Sequence, residues 1–432
     1  MANFFDDNDD LQYYLDRGLD WTPLIALVEQ DFRAPGGYAS ADEARAAYRD
    51  ILSMVGEFAA EQVAPRSMAI DQKGVRLENG EGKLAPETDA IFEQIRALDL
   101  HGLALPRELG GIGCPALVHF MVCELLARAD NVVMTHYNFY SGIALMLLMY
   151  SVHEGTTTFD RTTRAITGTR FQAEIAEILR GDAWGSMDIT EPDAGSDMAA
   201  LKTRAEQDEQ GNWYITGQKI FLTSGHGKHH IVIARTEADK PGLAGLSLFH
   251  VPAYEDMPDG TRRRIAVIDR LEEKLGHHGS ATAAVSFDRA PGRLIGKRGE
   301  GFQLMLLLMN NARVGVGFES IGVCEAAYRK AKEYAAERRS MGKSIDRHEM
   351  IADFLDEMQT DILGLRALAM QCAYHEELHQ RTKMQALLDT DPDSLERARL
   401  LKQAKRQAYK ARRLTPLLKY IASEKAVEMS RR

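Results

Sequence analysis

Between Trp213 and Phe287 the chain breaks into short β-rich runs: WYITG, KIFLTS, HIVIART, LSLFHV, RIAVI and AAVSF, punctuated by Gly, Asn, Pro and Asp. No stretch long enough for an ordinary helix separates them. A parallel doubly wound sheet needs such crossovers, so the pattern predicts an antiparallel meander or barrel. On both sides of this block the apolar period is helical. Ser40 and Glu43 form a capping box, and behind them Tyr48, Ile51, Leu52, Val55 and Phe58 recur at helical spacing in a helix that should stop before Pro65. Further amphipathic stretches run around 91–98 and from Pro115 to Ala129. From Gly301 the helical period returns as one long helix, followed by others over 347–380 and from Ser394 onward. The expectation is an α+β multidomain protein: an extension over 1–39, a helical domain over 40–182, a β-barrel over 183–292 and a helical bundle over 293–432.

Composition removes several functions. A chain of 432 residues exceeds one typical core, and 45% hydrophobic with 27% charged residues is ordinary for a globular protein. A net charge of −10 disfavours nucleic acid as the main partner, since phosphate binding needs a basic face. Cys114, Cys123, Cys324 and Cys372 are too scattered for a disulfide framework or zinc knuckle and read as buried thiols. The acidic start, MANFFDDNDDLQ, lacks a signal-peptide layout, and the apolar run GIALMLLMYSV is too short to cross a bilayer. A cytoplasmic protein without a membrane or nucleic-acid partner is expected.

The stretch DITEPDAGSD (188–197) follows a strand-like run and combines hydrogen-bonding groups with small residues that let a ligand approach the backbone. It reads equally as an acidic surface turn. KIFLTSG (219–225) adds a second clue. Phe221 and Thr223 fall on one face of a strand, an aromatic ring beside a hydroxyl, which suits a flat heteroaromatic ligand.

With TEPDAGSD (190–197), GQKIFLTSG (217–225), EKLGHHGSAT (273–282), RLIGKRGEGFQLMLLLMNNAR (293–313) and AAERRSMGKSI (335–345) in this order, the chain resembles the acyl-CoA dehydrogenase family. FFDDNDDLQYYLDRGLDW looks like the N-terminal extension of its longer bacterial members. The resemblance implies FAD, an acyl-CoA substrate oxidised to the 2,3-enoyl-CoA, electron-transfer flavoprotein as acceptor, and a homo-oligomer, dimer or tetramer. By matching positions it implies that Met187, Ile189, Thr190, Phe221, Leu222 and Thr223 hold the flavin, with Thr223 bonding N5, the hydride acceptor. Phe221 stands where tryptophan is usual. Ser196 would meet both the cofactor and the thioester arm, while Asn310, Asn311 and Arg313 would face the CoA-thioester. Arg338, Arg339, Ser340, His348 and Glu349 match a segment near a neighbouring subunit's FAD.

The family's base usually lies in a tyrosine-glutamate-glycine-threonine stretch after a glycine-rich segment, and KAVEMSRR precedes both. The alternative position, just before Arg313, is Ala312. Glu319 is about two turns on, roughly 9 Å by the 1.5 Å rise, and makes a poor substitute. No catalytic residue is therefore assigned. The expectation is a dehydrogenase fold with weak FAD binding and little activity. The alternative is an impaired FAD/acyl-CoA-binding member or a truncated gene product. Oxidase against dehydrogenase chemistry, chain length and electron acceptor stay open.

Other motifs compete weakly. His375-Glu-Glu-Leu-His379 matches H-E-x-x-H but lacks a third ligand, so no metal is assigned and a solvated helix face is expected. GGIGCPA (110–116) has no preceding strand and reads as a loop entering a helix. KQAKRQAYKARR (402–413) reads as a solvated helix face or a site for an anionic partner.

Overall fold

The computed structural model describes residues 2 to 431. Among its helices are α1 (Ala41–Phe58), α2 (Pro86–Ala97), α3 (Ala116–Ala129) and α4 (Asn131–Glu154), which form the first helical layer. The capping box at α1 is real. Ser40 Oγ accepts from Glu43 N at 3.1 Å, while the Glu43 carboxylate reaches back to Ala39 N at 2.8 Å. The helix does not stop before Pro65: α1 loosens into a π turn and then a 3₁₀ turn over Ala64–Arg66 that contains the proline, which has no N–H for the α ladder, and α-helix resumes at Ser67–Lys73.

The barrel uses β1 (Gly185–Asp188), β2 (Arg204–Gln207), β3 (Trp213–Leu222), β4 (His229–Arg235), β5 (Leu246–Pro252), β6 (Ala266–Leu271) and β7 (Ala283–Ile295). The runs WYITG and KIFL join into one strand, β3. Pairings β7–β3–β2–β4–β5–β7 close a ring, with β6 added beside β7 and β1 beside β4. The expectation of an antiparallel barrel needs one correction: β1 and β4 are parallel, as is the short β2–β4 contact. Alternating residues Ile215, Val232, Phe249, Val285 and Phe287 fill the interior.

After the barrel, α5 (Gly301–Glu337), α6 (Glu349–Leu388) and α7 (Leu395–Arg431) pack as long helices. Arg366 on α6 is wholly buried. Its guanidinium donates to Glu124 of α3 and Glu325 of α5, each at 2.7 Å, and to Asp10 of the N-terminal segment at 2.6 Å. Asp7 of that segment also pairs with Arg128 (2.6 Å) and Arg329 (3.3 Å). Phe5, Leu11, Leu15, Trp21 and Leu24 sink into the main core, so residues 2–39 are packed structure.

The four cysteines are free and buried, and burial pushes Cys114, Cys324 and Cys372 up to about 12. The apolar run in α4 needs a second correction. It lies in a 24-residue helix whose apolar window has a mean hydropathy of 1.3, long and apolar enough to span a bilayer by length and composition. In the fold 78% of its apolar window is buried, so α4 spends that apolarity on the core between the layers.

HEELH is likewise core structure rather than a solvated face. Glu377 accepts from Ala116 N (2.6 Å) and Leu117 N (3.0 Å), satisfying the first donors of α3, and His379 Nδ1 contacts Ala404 O at 3.0 Å. The basic 402–413 stretch is mostly exposed.

Candidate functional site

Strand β1 explains how the site begins. Its side chains alternate: Ser186 and Asp188 point to the buried face, where Ser186 Oγ donates to Asp188 at 2.6 Å and His230 Nδ1 meets Asp188 at 2.8 Å. Met187 and Ile189 are thereby left on the other, partly open face. The acids of DITEPDAGSD hold the loop rather than a ligand. Glu191 accepts from Lys202 N (2.6 Å) and Thr203 N (3.0 Å) and pairs with buried Lys219 at 2.9 Å. Lys219 Nζ also donates to Ile189 O (2.9 Å), and Ile220 N donates to Thr190 O (2.8 Å). Asp193 pairs with Lys202, and Asp197 caps the following turn.

Phe221 and Thr223 do share a side, but not through strand alternation. Phe221 adopts a left-handed φ of 59° and Ser224 one of 57°, so the chain twists out of β3 there. Non-glycine residues in that region cost about 1–3 kcal/mol each and gather at functional sites. The twist leaves the Phe221 ring 60% exposed while Leu222, assigned to the cofactor, turns into the barrel core. Ser224 Oγ is held by His136 of α4 at 2.7 Å.

A cavity of about 500 Å³ opens beside this twist. Its barrel wall carries Met187, Phe221 and Thr223; α4 contributes Met134, Thr135, Asn138 and Phe139; and α5 contributes Ala312, Val316 and Glu319. The loop 272–282 closes one side with Glu272, Glu273, Lys274 and His277. The α4 residues recur at spacings of three and four and the α5 residues at three, four and seven, so one face of each helix lines the cavity. A cleft of about 600 Å³ on the barrel's outside, near Glu177 and His229, is larger, but it lacks the α4 and α5 walls.

Glu319 is the residue sequence reasoning discounted. Burial pushes its carboxyl up to about 7, the neighbouring Thr135 hydroxyl offsetting part of the rise. Its contact at 3.4 Å is His277 Nε2, an imidazole that burial pushes down. Burial thus disfavours the charged form of both members of the pair, the imidazolium and the carboxylate. By contrast, Glu272 pairs with Arg270 (2.9 Å) and Glu273 with His278 (3.3 Å). Positions 312, 316 and 319 lie on one helical face, the signal that could have found Glu319.

Other assigned residues lie elsewhere. Ile189 and Thr190 are partly buried and lie outside the cavity wall, and Ser196 is exposed. Asn311 is committed to the bundle, accepting from Gln380 Nε2 at 2.8 Å, and Arg313 donates to Asn310 at 3.3 Å. Arg338, Arg339, Ser340, His348 and Glu349 sit at the far end of α5, roughly 39 Å from Ala312 at 1.5 Å per residue. His348 Nε2 donates to Ser340 O there (3.1 Å). One chain does not bring this group to the cavity.

A helical layer, a barrel and a long-helix bundle meet at a cavity walled by an exposed aromatic ring, a hydroxyl and a thioether. That is the arrangement of a three-domain, flavin-type oxidoreductase. Family models for the acyl-CoA dehydrogenase N-terminal, middle and C-terminal domains match residues 45–156, 186–290 and 299–388. The chain belongs to the acyl-CoA dehydrogenase family, whose members are FAD-dependent oxidoreductases. It is 31% identical over 410 residues to the 3-methylmercaptopropionyl-CoA dehydrogenase of Ruegeria pomeroyi, covering 90% of this chain and 63% of that protein. An acyl-CoA dehydrogenase of Bacillus subtilis is 27% identical, covering 76% of this chain and 78% of that one. The fold matches the crystal structure of an acyl-CoA dehydrogenase complexed with FAD from Bacillus anthracis, with a TM-score of 0.66 at 20% identity, over 88% of this chain and 58% of that one.

Proposed function

We propose that this protein binds FAD and an acyl-CoA at the cavity between β3, α4 and α5 for α,β-dehydrogenation of the acyl group. The β-hydrogen would leave as hydride to the FAD and the α-hydrogen as a proton to a carboxylate base, a role that Ala312 on α5 does not fill. The observation that carries the reading is the shared wall of Met187, Phe221 and Thr223, with the Phe221 ring held out by a left-handed backbone. Those residues fit a flat ring: Phe221 to stack, Met187 to cover a face, and Thr223 to hydrogen-bond an edge nitrogen. FAD, when bound, supplies the hydride acceptor.

The chain's own residues orient and exclude. α4 and α5 confine the acyl chain between Phe139 and Val316, and the 272–282 loop covers it from bulk water. Lys274 holds that loop closed by donating to Glu272 O (2.9 Å) and Ser280 O (3.1 Å). The Lys219–Glu191 pair beneath keeps the 188–197 loop against β3, so the apolar face of β1 stays aimed at the ring site. The family resemblance assigns the hairpin carrying Arg339 and Ser340 to a second copy's cofactor, and its distance from this chain's own cavity supports a homo-oligomer as part of this reading. Electron-transfer flavoprotein as acceptor and a cytoplasmic location complete it.

The test is an anaerobic titration of the FAD-reconstituted protein with a panel of acyl-CoAs. Bleaching of the flavin band with one acyl class supports the reading. A protein that stays colourless after FAD is supplied overturns it.

A further inference from the structure

Thr223 sits between two left-handed residues, Phe221 at φ 59° and Ser224 at φ 57°. Such residues persist only where their surroundings hold them. Here the hold comes from α4. His136 Nδ1 lies 2.7 Å from Ser224 Oγ, and both residues are wholly buried. His136 follows Thr135 in the chain, and Asn138 and Phe139 come next on the same helix; those three line the cavity that Thr223 also lines. The bond therefore ties the helical wall of the cavity to the barrel wall at the residue after Thr223.

The histidine is itself held. Its ring centroid lies 5.2 Å from that of Trp184, 5.5 Å from that of His226 and 6.3 Å from that of Phe92 on α2, and Tyr140 packs on Trp184 at 4.5 Å. Trp184 immediately precedes β1, the strand of Met187, and its carbonyl accepts from Lys228 N (2.9 Å) and His229 N (3.0 Å) just beyond the turn. The turn itself is closed by Gly227 N donating to Ser224 O at 2.8 Å. It is thus held at its start by His136 and at its end by Trp184, and those two rings pack together.

Neither member of the bond suits a place chosen for stability alone. His136 Nε2 is buried without a hydrogen-bond partner among the described residues. Burial, with His226 beside it, pushes the imidazole well down, so the ring is uncharged at neutral pH. A phenyl ring would fill the same space and strand no polar atom. Ser224 carries backbone strain that glycine would avoid. What the two residues have in common is the bond between them.

We propose that His136 is a positioning residue for the flavin site: through Ser224 it fixes the turn so that the Thr223 hydroxyl meets the edge of the ring that Phe221 and Met187 cover. The inference rests on the flavin reading above and goes beyond it, since His136 itself does not line the cavity. In a neutral imidazole Nδ1 either accepts from the Ser224 hydroxyl or donates to it, so both tautomers make the contact. Hydrogen bonds weaken steeply below about 120°, so a small rotation of an unheld turn removes the Thr223 contact without unfolding anything.

The test uses the FAD-reconstituted chain and reads the flavin's reduction potential and absorbance maximum beside a thermal melt. Ser224→Ala and His136→Phe should each move both flavin readings in the same direction as Thr223→Val. They should weaken FAD binding by up to roughly fivefold, the equivalent of one neutral hydrogen bond. His136→Asn, whose side-chain amide stands where Nδ1 does, should keep the parent's potential. In the Thr223→Val background Ser224→Ala should shift nothing further, because the hydroxyl it positions is already gone. Should His136→Phe fail to fold, Ser224→Ala and the double variant carry the same test from the other side of the bond. Folded variants with the parent's potential and spectrum, or shifts that add in full to that of Thr223→Val, overturn the proposal and leave the flavin reading in place. A parent chain that takes up no FAD overturns both.

Discussion

Lys219 Nζ stands 2.9 Å from Glu191 Oε1 with both side chains almost fully buried, and it fastens the 188–197 loop to the strand that presents Phe221. Removing one member of such a pair strands the other charge in the interior. Lys219→Met should destabilise the protein by about 3–5 kcal/mol, measured by denaturant unfolding. The Lys219→Met/Glu191→Leu double variant should lose less than the sum of the singles. Additive losses would show that the pair carries no coupling.

Thr223→Val keeps shape and removes the hydroxyl facing the ring site. The lost bond is worth about 1 kcal/mol. The expected outcome is a shifted flavin potential or absorbance maximum, slower flavin reduction, and an unfolding midpoint close to the parent's. A variant that reduces and reoxidises like the parent removes Thr223 from the site.

Phe221 tests the trade between strain and function. Glycine adopts φ near 59° freely, so Phe221→Gly should relieve strain of about 1 kcal/mol or more and leave the 60% exposed ring's small packing loss as the opposing effect. Thermal stability should hold or rise while affinity for added FAD falls. Loss of both together would mean that the ring is a structural element.

The buried imidazoles and Glu319 respond to pH in opposite senses. Burial pushes His101, His119 and His379 down to about 4, so the folded protein binds fewer protons than the unfolded chain in the acid range. Their stabilisation is complete above the ordinary histidine value of about 6.5 and is lost as pH falls from there toward 4. Glu319 is raised from 4.5 to about 7, so its contribution is complete below 4.5 and is lost as pH climbs through 7. The groups facing it are His277, Lys274, Glu272, Glu273 and Cys123. Melting temperature should therefore fall steeply on acidification from 6.5. Glu319→Gln should flatten the decline between about pH 5 and 8 and leave the acid limb unchanged. An unchanged alkaline limb would place Glu319 in an aqueous setting.

Local signals reached furthest into this fold. The Ser40–Glu43 box and the helical spacing behind it needed only neighbours along the chain, and the β-rich runs needed only their punctuation. What failed depended on distant partners. The acids of 188–197 looked like ligand groups because Lys219, Thr203 and His230, which satisfy them, arrive from other strands. Leu222 is placed beside the ring by the family resemblance alone, whereas the alternation expected to put Phe221 and Thr223 on one face already turns Leu222 to the other, the barrel core. Glu319 was dismissed on axial distance from Ala312, although seven residues return a helix to the same face. The HEELH sequence offered no hint that its middle carboxylate caps a helix 260 residues away.

The buried guanidinium of Arg366 also sets a calendar for synthesis. Chains emerge from the ribosome N-terminus first, so Asp10 is made 356 residues before the arginine that receives it. Asp7 finds Arg128 early, which lets the leading segment dock loosely on the first helices. Its lock, and that of Glu124, waits for α6. Until then the buried Glu124 and the half-buried Asp10 lack their cation, and the expected consequence is a seam that closes only once Arg366 has been made. Slowing elongation before residue 366 should lengthen the period in which a protease cuts near residues 7–10.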